Sequence, residues 1–101
     1  MSDESDESDA TKLHKQAMDI AEEAYIEQIK GSLDRAKELY AAAYEAERKA
    51  AMEFESRHDM EPTRSVLFRS AASLALASGD VKSAKEMIAI KNFRPKGVRN
   101  E

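Results

Sequence analysis

The sequence predicts an all-α protein of four helices, arranged as two antiparallel hairpins with a long second helix. Three observations carry this expectation. First, the phrase Gly31-Ser32-Leu33-Asp34-Arg35-Ala36 recurs as Gly79-Asp80-Val81-Lys82-Ser83-Ala84, with Tyr40 and Ile88 four places beyond each alanine. A glycine, an apolar residue two later and an alanine five later mark a helix end, a tight turn and a second helix packing back on the first. Second, apolar residues recur at three- and four-residue spacing through residues 11–92, with no strand-like stretch. Third, alanine dominates the 42% hydrophobic content, so the helices must approach closely to bury enough surface.

The first helix is expected over residues 11–30. Leu13, Ala17, Ile20 and Ala24 form one face, and Met18, Tyr25 and Ile29 a second beside it. That apolar sector is wider than one packing partner needs. Gly31 is the stop signal, Ser32 the N-cap of the next helix, and Asp34 a favourable charge in its first turn.

The second helix is expected over residues 32–57, roughly 39 Å at 1.5 Å per residue. Leu33, Ala36, Leu39, Tyr40, Ala43, Tyr44, Ala50, Ala51 and Phe54 line one face, with Glu47 inside the apolar stripe. Residues 58–61 connect, and Pro62 opens the third helix, 62–78, where a missing N–H costs nothing. This helix is apolar on most of its circumference, interrupted by Ser65, Arg69 and Ser73, and so requires neighbours on several sides. Gly79 ends it. Asp80 caps the fourth helix, 81–92, which is expected to turn Val81, Ala84, Met87 and Ile88 inward.

Charge divides the 101-residue chain into three parts. Five of its twenty acids lie in residues 1–9, whereas Lys91, Arg94, Lys96 and Arg99 crowd the other end. Residues 1–10 therefore read as a disordered acidic tail, 11–92 as the helical domain and 93–101 as a basic flexible tail. The serines of the acidic repeat suit an acid-directed kinase, but a solubilising tail is the simpler reading. Cysteine is absent, which excludes disulfides, zinc–thiolate sites and thiol catalysis. Residues 1–9 lack the basic start and apolar core of a secretory leader, and the longest apolar run, within 70–78, is too short to span a bilayer. A cytoplasmic protein without membrane contact is the expectation.

Gly31, Leu33, Ala36, Tyr40 and Ala43 resemble the second-helix signature of the tetratricopeptide repeat, and Gly79, Val81, Ala84 and Ile88 match four of its five places. Phe68, Ala71, Ala72 and Ala75 are similar to the packing pattern of the repeat's first helix. Glu23 and Glu27 depart from it, and the glycines lie 48 residues apart rather than the repeat's 34. Residues 61–76 with Gly79-Asp80 also resemble short bacterial tetratricopeptide-like proteins without an assigned activity, over about residues 20–91. The resemblance implies a groove lined by the first helix of each hairpin, which holds an extended peptide or a partner helix. Carried onto this chain, the lining residues are Met18, Tyr25, Gln28, Ile29, Val66, Arg69, Ser73 and Leu76. The alternative is a four-helix bundle in which Met18, Tyr25 and Ile29 pack on the third helix.

Few residues suggest chemistry. Glu55-Ser56-Arg57-His58 has the Glu-x-x-His spacing of di-iron bundles, but occurs once and at a helix end. Glu47 and Arg69 each interrupt an apolar surface, so they are expected either to neutralise each other or to leave Arg69, with Arg64, gripping a partner's carboxylates. No phosphate loop, nucleophile–base grouping or paired acid–base carboxylates appear. The expectation is a non-enzymatic protein–protein interaction module without catalytic residues, metal or cofactor, binding a peptide or helix and associating as a homodimer. The runner-up is a small helical regulator contacting nucleic acid through its basic tail.

Overall fold

The helices begin and end where local hydrogen bonding dictates. The computed structural model of the chain describes residues 8–94. Four α-helices follow in order: α1 Asp9–Ile29, α2 Leu33–Met52, α3 Thr63–Ala77 and α4 Val81–Asn92, with one 3-10 turn at His58–Met60. The described residues contain no strand. The architecture is all-α, built from two hairpins, α1–α2 and α3–α4.

The repeated glycine phrase has one structural meaning in both places. Gly31 and Gly79 adopt φ of +88° and +90°. In each case the glycine amide reaches back to a carbonyl three residues earlier, Gly31 to Gln28 and Gly79 to Leu76. The next amide reaches five back, Ser32 to Glu27 and Asp80 to Ala75. This paired pattern closes a helix end by satisfying carbonyls that have no helical partner. The downstream caps differ. Asp80 Oδ1 accepts from the Ser83 amide at 3.0 Å, whereas the Ser32 side chain makes no capping bond, contrary to the expectation. The first helix starts two residues early because Ser8 caps it, its Oγ accepting from the Thr11 amide at 3.1 Å. Asp9 and Ala10 thus belong to α1, and Ala10 is buried.

The second helix stops at Met52 rather than continuing to residue 57. Its last turn tightens into three-residue bonds, Phe54 to Ala51 and Glu55 to Met52. The Glu55 carbonyl then accepts from Arg64 Nε at 2.9 Å. A cation on the next helix thus takes the place of a further helical amide. Pro62 stands at the N-cap of α3 rather than inside its first turn, and Glu61 before it supplies the side-chain bond: its Oε1 accepts from the Ser65 amide at 3.0 Å.

Packing follows chain order: α1 lies on α2, α2 on α3 and α3 on α4, and no other pair of helices packs extensively. Alanine governs the first contact. Ala10, Ala17 and Ala24 on α1, and Ala36, Ala43 and Ala50 on α2, recur every seventh residue and are all buried. A seven-residue repeat keeps one seam facing its partner along the whole helix, and side chains this small let the backbones close in. Larger residues fill the second half of the core, where Phe68 is fully buried in one cluster with Leu67, Leu74 and Met87. The result is a slab of 48 × 42 × 17 Å, thin because helices lie side by side rather than in layers. This geometry overturns the bundle alternative. Met18, Tyr25 and Ile29 are 36%, 58% and 68% exposed, not packed on the third helix.

Candidate interaction surface

All eight expected groove residues stand on the surface: Met18, Tyr25, Gln28, Ile29, Val66, Arg69, Ser73 and Leu76. Four lie on α1 and four on α3, and Val66, although exposed, lies outside the groove that the other three α3 residues line. Arg69, Ser73 and Leu76 form one wall of a groove of about 570 Å³ whose other wall is α4, with Val81, Lys85, Ile88 and Ala89. Ala72 and Ala84, both buried, make the floor. Met18, Tyr25 and Ile29 lie on α1, which packs extensively only on α2. Helices α1 and α3 approach each other at one end, where Gln28 and Ala77 line a crevice of about 180 Å³ over Leu33, Ala36 and Tyr40. Gln28 is held there, its Oε1 accepting from the Tyr40 hydroxyl at 3.0 Å.

The opposite wall of the α3–α4 groove corrects the reading of α4. Val81 and Ile88 were expected inside, yet they are 51% and 37% exposed, while Ala84 and Met87 are buried. The last helix packs extensively on α3 alone and needs only a narrow stripe to do so. Val81, Lys85 and Ile88 occur at four- and three-residue spacing, so the sequence carried their common face. What it lacked was the number of neighbours.

The groove has an apolar lining and a cationic rim. Leu76, Val81 and Ile88 supply the large apolar surface, and Arg69 and Lys85 flank it. Neither cation makes an ion pair or side-chain hydrogen bond among the described residues. The expected Glu47–Arg69 pair does not form, because Arg69 is exposed. Glu47 is fully buried and its two oxygens lie 2.9 and 3.0 Å from His14 Nδ1 on α1.

The buried cation is instead Arg64, which fastens α4 to α3. Its Nη2 donates to the Ile90 carbonyl at 2.8 Å, and its Nη1 to the Lys91 carbonyl at 3.0 Å and to Glu61 at 3.3 Å. The guanidinium also lies 5.2 Å from the Phe68 ring centroid. Burial pushes the Glu61 carboxyl up, but hydrogen bonds from Ser65 and Arg64 outweigh it and hold the group below its ordinary value. Two backbone carbonyls at the end of α4 thereby gain charged donors, which suits a helix C-terminus. Arg64 was read from the sequence only as a possible partner for a ligand's carboxylate. A position at the start of an otherwise apolar helix was the available signal.

Beside Arg64 lies a cavity of about 400 Å³ bounded by Glu55, His58, Ile90 and Phe93. The His58 Nδ1 atom is buried there without a hydrogen-bond partner. Glu55 and His58 do not share a helix face, since Glu55 lies in the turn after α2 and His58 in the 3-10 segment. No group of three His, Cys, Asp or Glu side chains among the described residues is placed to hold a metal ion. Among the same residues, no helix is long and apolar enough to cross a membrane. Of the basic tail only Phe93 and Arg94 are described, and the rest of that expectation lies outside the described residues. Comparisons with family models, with curated proteins and with solved structures give no match.

Proposed function

We propose that this chain is a tetratricopeptide-like protein-interaction module that binds an amphipathic helix, acidic on its flank, along the α3–α4 groove. One observation carries the reading: Leu76, Val81 and Ile88 lie exposed together between Arg69 and Lys85. A contiguous apolar patch rimmed by charge favours a partner that presents apolar residues at helical spacing. The cations add orientation and speed of encounter more than affinity. The groove expected between the first and third helices thus shifts by one helix, keeping Arg69, Ser73 and Leu76. The protein acts without catalysis, in the cytoplasm, as a cysteine-free chain suits.

A fluorescently labelled synthetic helix, with leucines on one stripe and glutamates beside it, tests the reading by anisotropy. Leu76→Asp or Ile88→Asp is expected to weaken binding at least tenfold, about 1.4 kcal/mol. Arg69→Glu is expected to weaken it and reduce its salt dependence. Circular dichroism should be unchanged, since these side chains are exposed. Undiminished binding by all three variants, or no binding by the parent protein, contradicts the reading.

A further inference from the structure

We infer that the helix received by the α3–α4 groove is α1 of a second copy of this chain, so that copies join head to tail. The inference rests on the groove reading above and names its occupant. Three features of the molecule support it. First, α1 and α4 are the two ends of a row in which each helix packs extensively only on its neighbours in sequence. Each end is therefore an edge with one side uncovered.

Second, the uncovered side of α1 has the pattern the groove requires. Met18, Glu22, Tyr25 and Ile29 fall four, three and four residues apart, which places them on one stripe. Met18, Tyr25 and Ile29 are exposed, and Ile26 beside them is 49% exposed. The stripe is about 16 Å long and each groove wall about 10 Å, so the aromatic middle of α1 fills the groove and its ends overhang.

Third, the charges are complementary. The α1 stripe carries Glu22, flanked by Asp19 and Glu23, while the groove offers Arg69 and Lys85, and the adjoining surface of α4 adds Lys82 against one acid, Glu86. Among the described residues, Glu22, Arg69 and Lys85 make no ion pair or side-chain hydrogen bond within their own copy. Each is available to a partner. The two surfaces are different, so the contact is heterologous and leaves one free edge of each kind on every pair. Such contacts extend into rings or filaments rather than stopping at two.

Two single variants test this through sedimentation velocity across the micromolar range. Tyr25→Arg sets a cation on α1 against the cationic groove, and Ile88→Arg puts a charge where the groove needs apolar surface. That charge has the same sign as the first variant's new side chain, so the two altered surfaces repel each other in a mixture. The parent protein is expected to show mass that rises with concentration beyond a dimer. Each variant alone is expected to be monomeric. Their equimolar mixture is expected to form a one-to-one pair and nothing larger, because one copy keeps its groove and the other its α1. A monomeric parent protein, or variants that fail to pair when mixed, overturns the inference. The labelled acidic helix separates the two readings. Peptide binding by a parent protein that does not self-associate refutes the head-to-tail contact and leaves the groove reading standing; absence of both refutes both.

Discussion

His14 Nδ1 on α1 faces both carboxylate oxygens of Glu47 on α2, at 2.9 and 3.0 Å, across the alanine seam that joins the first hairpin. Glu47 is fully buried, whereas the His14 side chain is 41% exposed. The histidine therefore acts as a lid that supplies the carboxylate with a hydrogen bond its apolar surroundings lack. Burying a carboxylate without a partner is costly, so the two residues are coupled. His14→Ala is expected to destabilise the fold by about 1–3 kcal/mol, the cost of one unsatisfied buried group. Adding Glu47→Met to His14→Ala should recover most of that loss, because the orphaned carboxylate is gone. Urea denaturation of the two single variants and the double variant measures this, and additive losses would show that the residues act independently.

Arg64 is expected to resist conservative replacement. Lysine cannot present a planar fork to the carbonyls of Glu55, Ile90 and Lys91 at once. Arg64→Lys should therefore cost about 2–4 kcal/mol, since at least one buried carbonyl loses a charged donor. Amide hydrogen exchange should quicken over residues 88–92 more than over α1. Uniform quickening across both hairpins would contradict a fastening role specific to α4.

The turn glycines separate backbone cost from steric cost. A Cβ added at Gly31 or Gly79 would meet nothing within 4 Å, yet both residues have positive φ. Gly79→Ala should cost about 1–2 kcal/mol for the left-handed backbone alone. Gly79→Asn should cost less, because asparagine tolerates that region. Equal losses for alanine and asparagine would locate the penalty elsewhere. Thermal unfolding monitored by circular dichroism distinguishes the outcomes.

Acid should weaken the second hairpin. Hydrogen bonds from the Ser83 amide and hydroxyl hold Asp80 below its ordinary value of 3.8, and Glu61 lies below its ordinary 4.5. A carboxyl whose folded pKa is depressed binds protons more readily when unfolded. Its stabilising contribution is complete above the unfolded value and is lost as pH falls through the folded one. The urea midpoint should thus be flat near neutrality and fall below about pH 5, and Asp80→Asn should make that fall shallower. An unchanged acid limb in Asp80→Asn would remove Asp80 from the account.

How far the sequence carried the fold depended on whether a signal was local. The glycine stops are local, and both turned out as paired carbonyl-closing bonds. Asp80 as a cap is equally local. The partner of Glu47 is not, because it required the register of α1 against α2, and His14 lies 33 positions away. Arg69 and Arg64 both interrupt the surface of α3, and only the path of α4 decides which is buried. The end of α2 was misplaced for a related reason: apolar periodicity continues through Phe54, but Arg64 draws the Glu55 carbonyl out of the helix. In the candidate site, the α3 wall was legible as a polar strip in an apolar helix. The α4 wall was hidden because an edge helix needs less burial than its sequence offers.

Amide chemical-shift mapping during titration with the labelled acidic helix tests the central claim most directly. The account predicts that the largest changes cluster at residues 69–76 and 81–89, with α1 little affected once Tyr25→Arg has suppressed self-association. Changes centred instead on the shallow depression between α1 and α2 that Lys12, Gln16 and Arg48 line, or no changes at all, would contradict the α3–α4 groove as the binding surface.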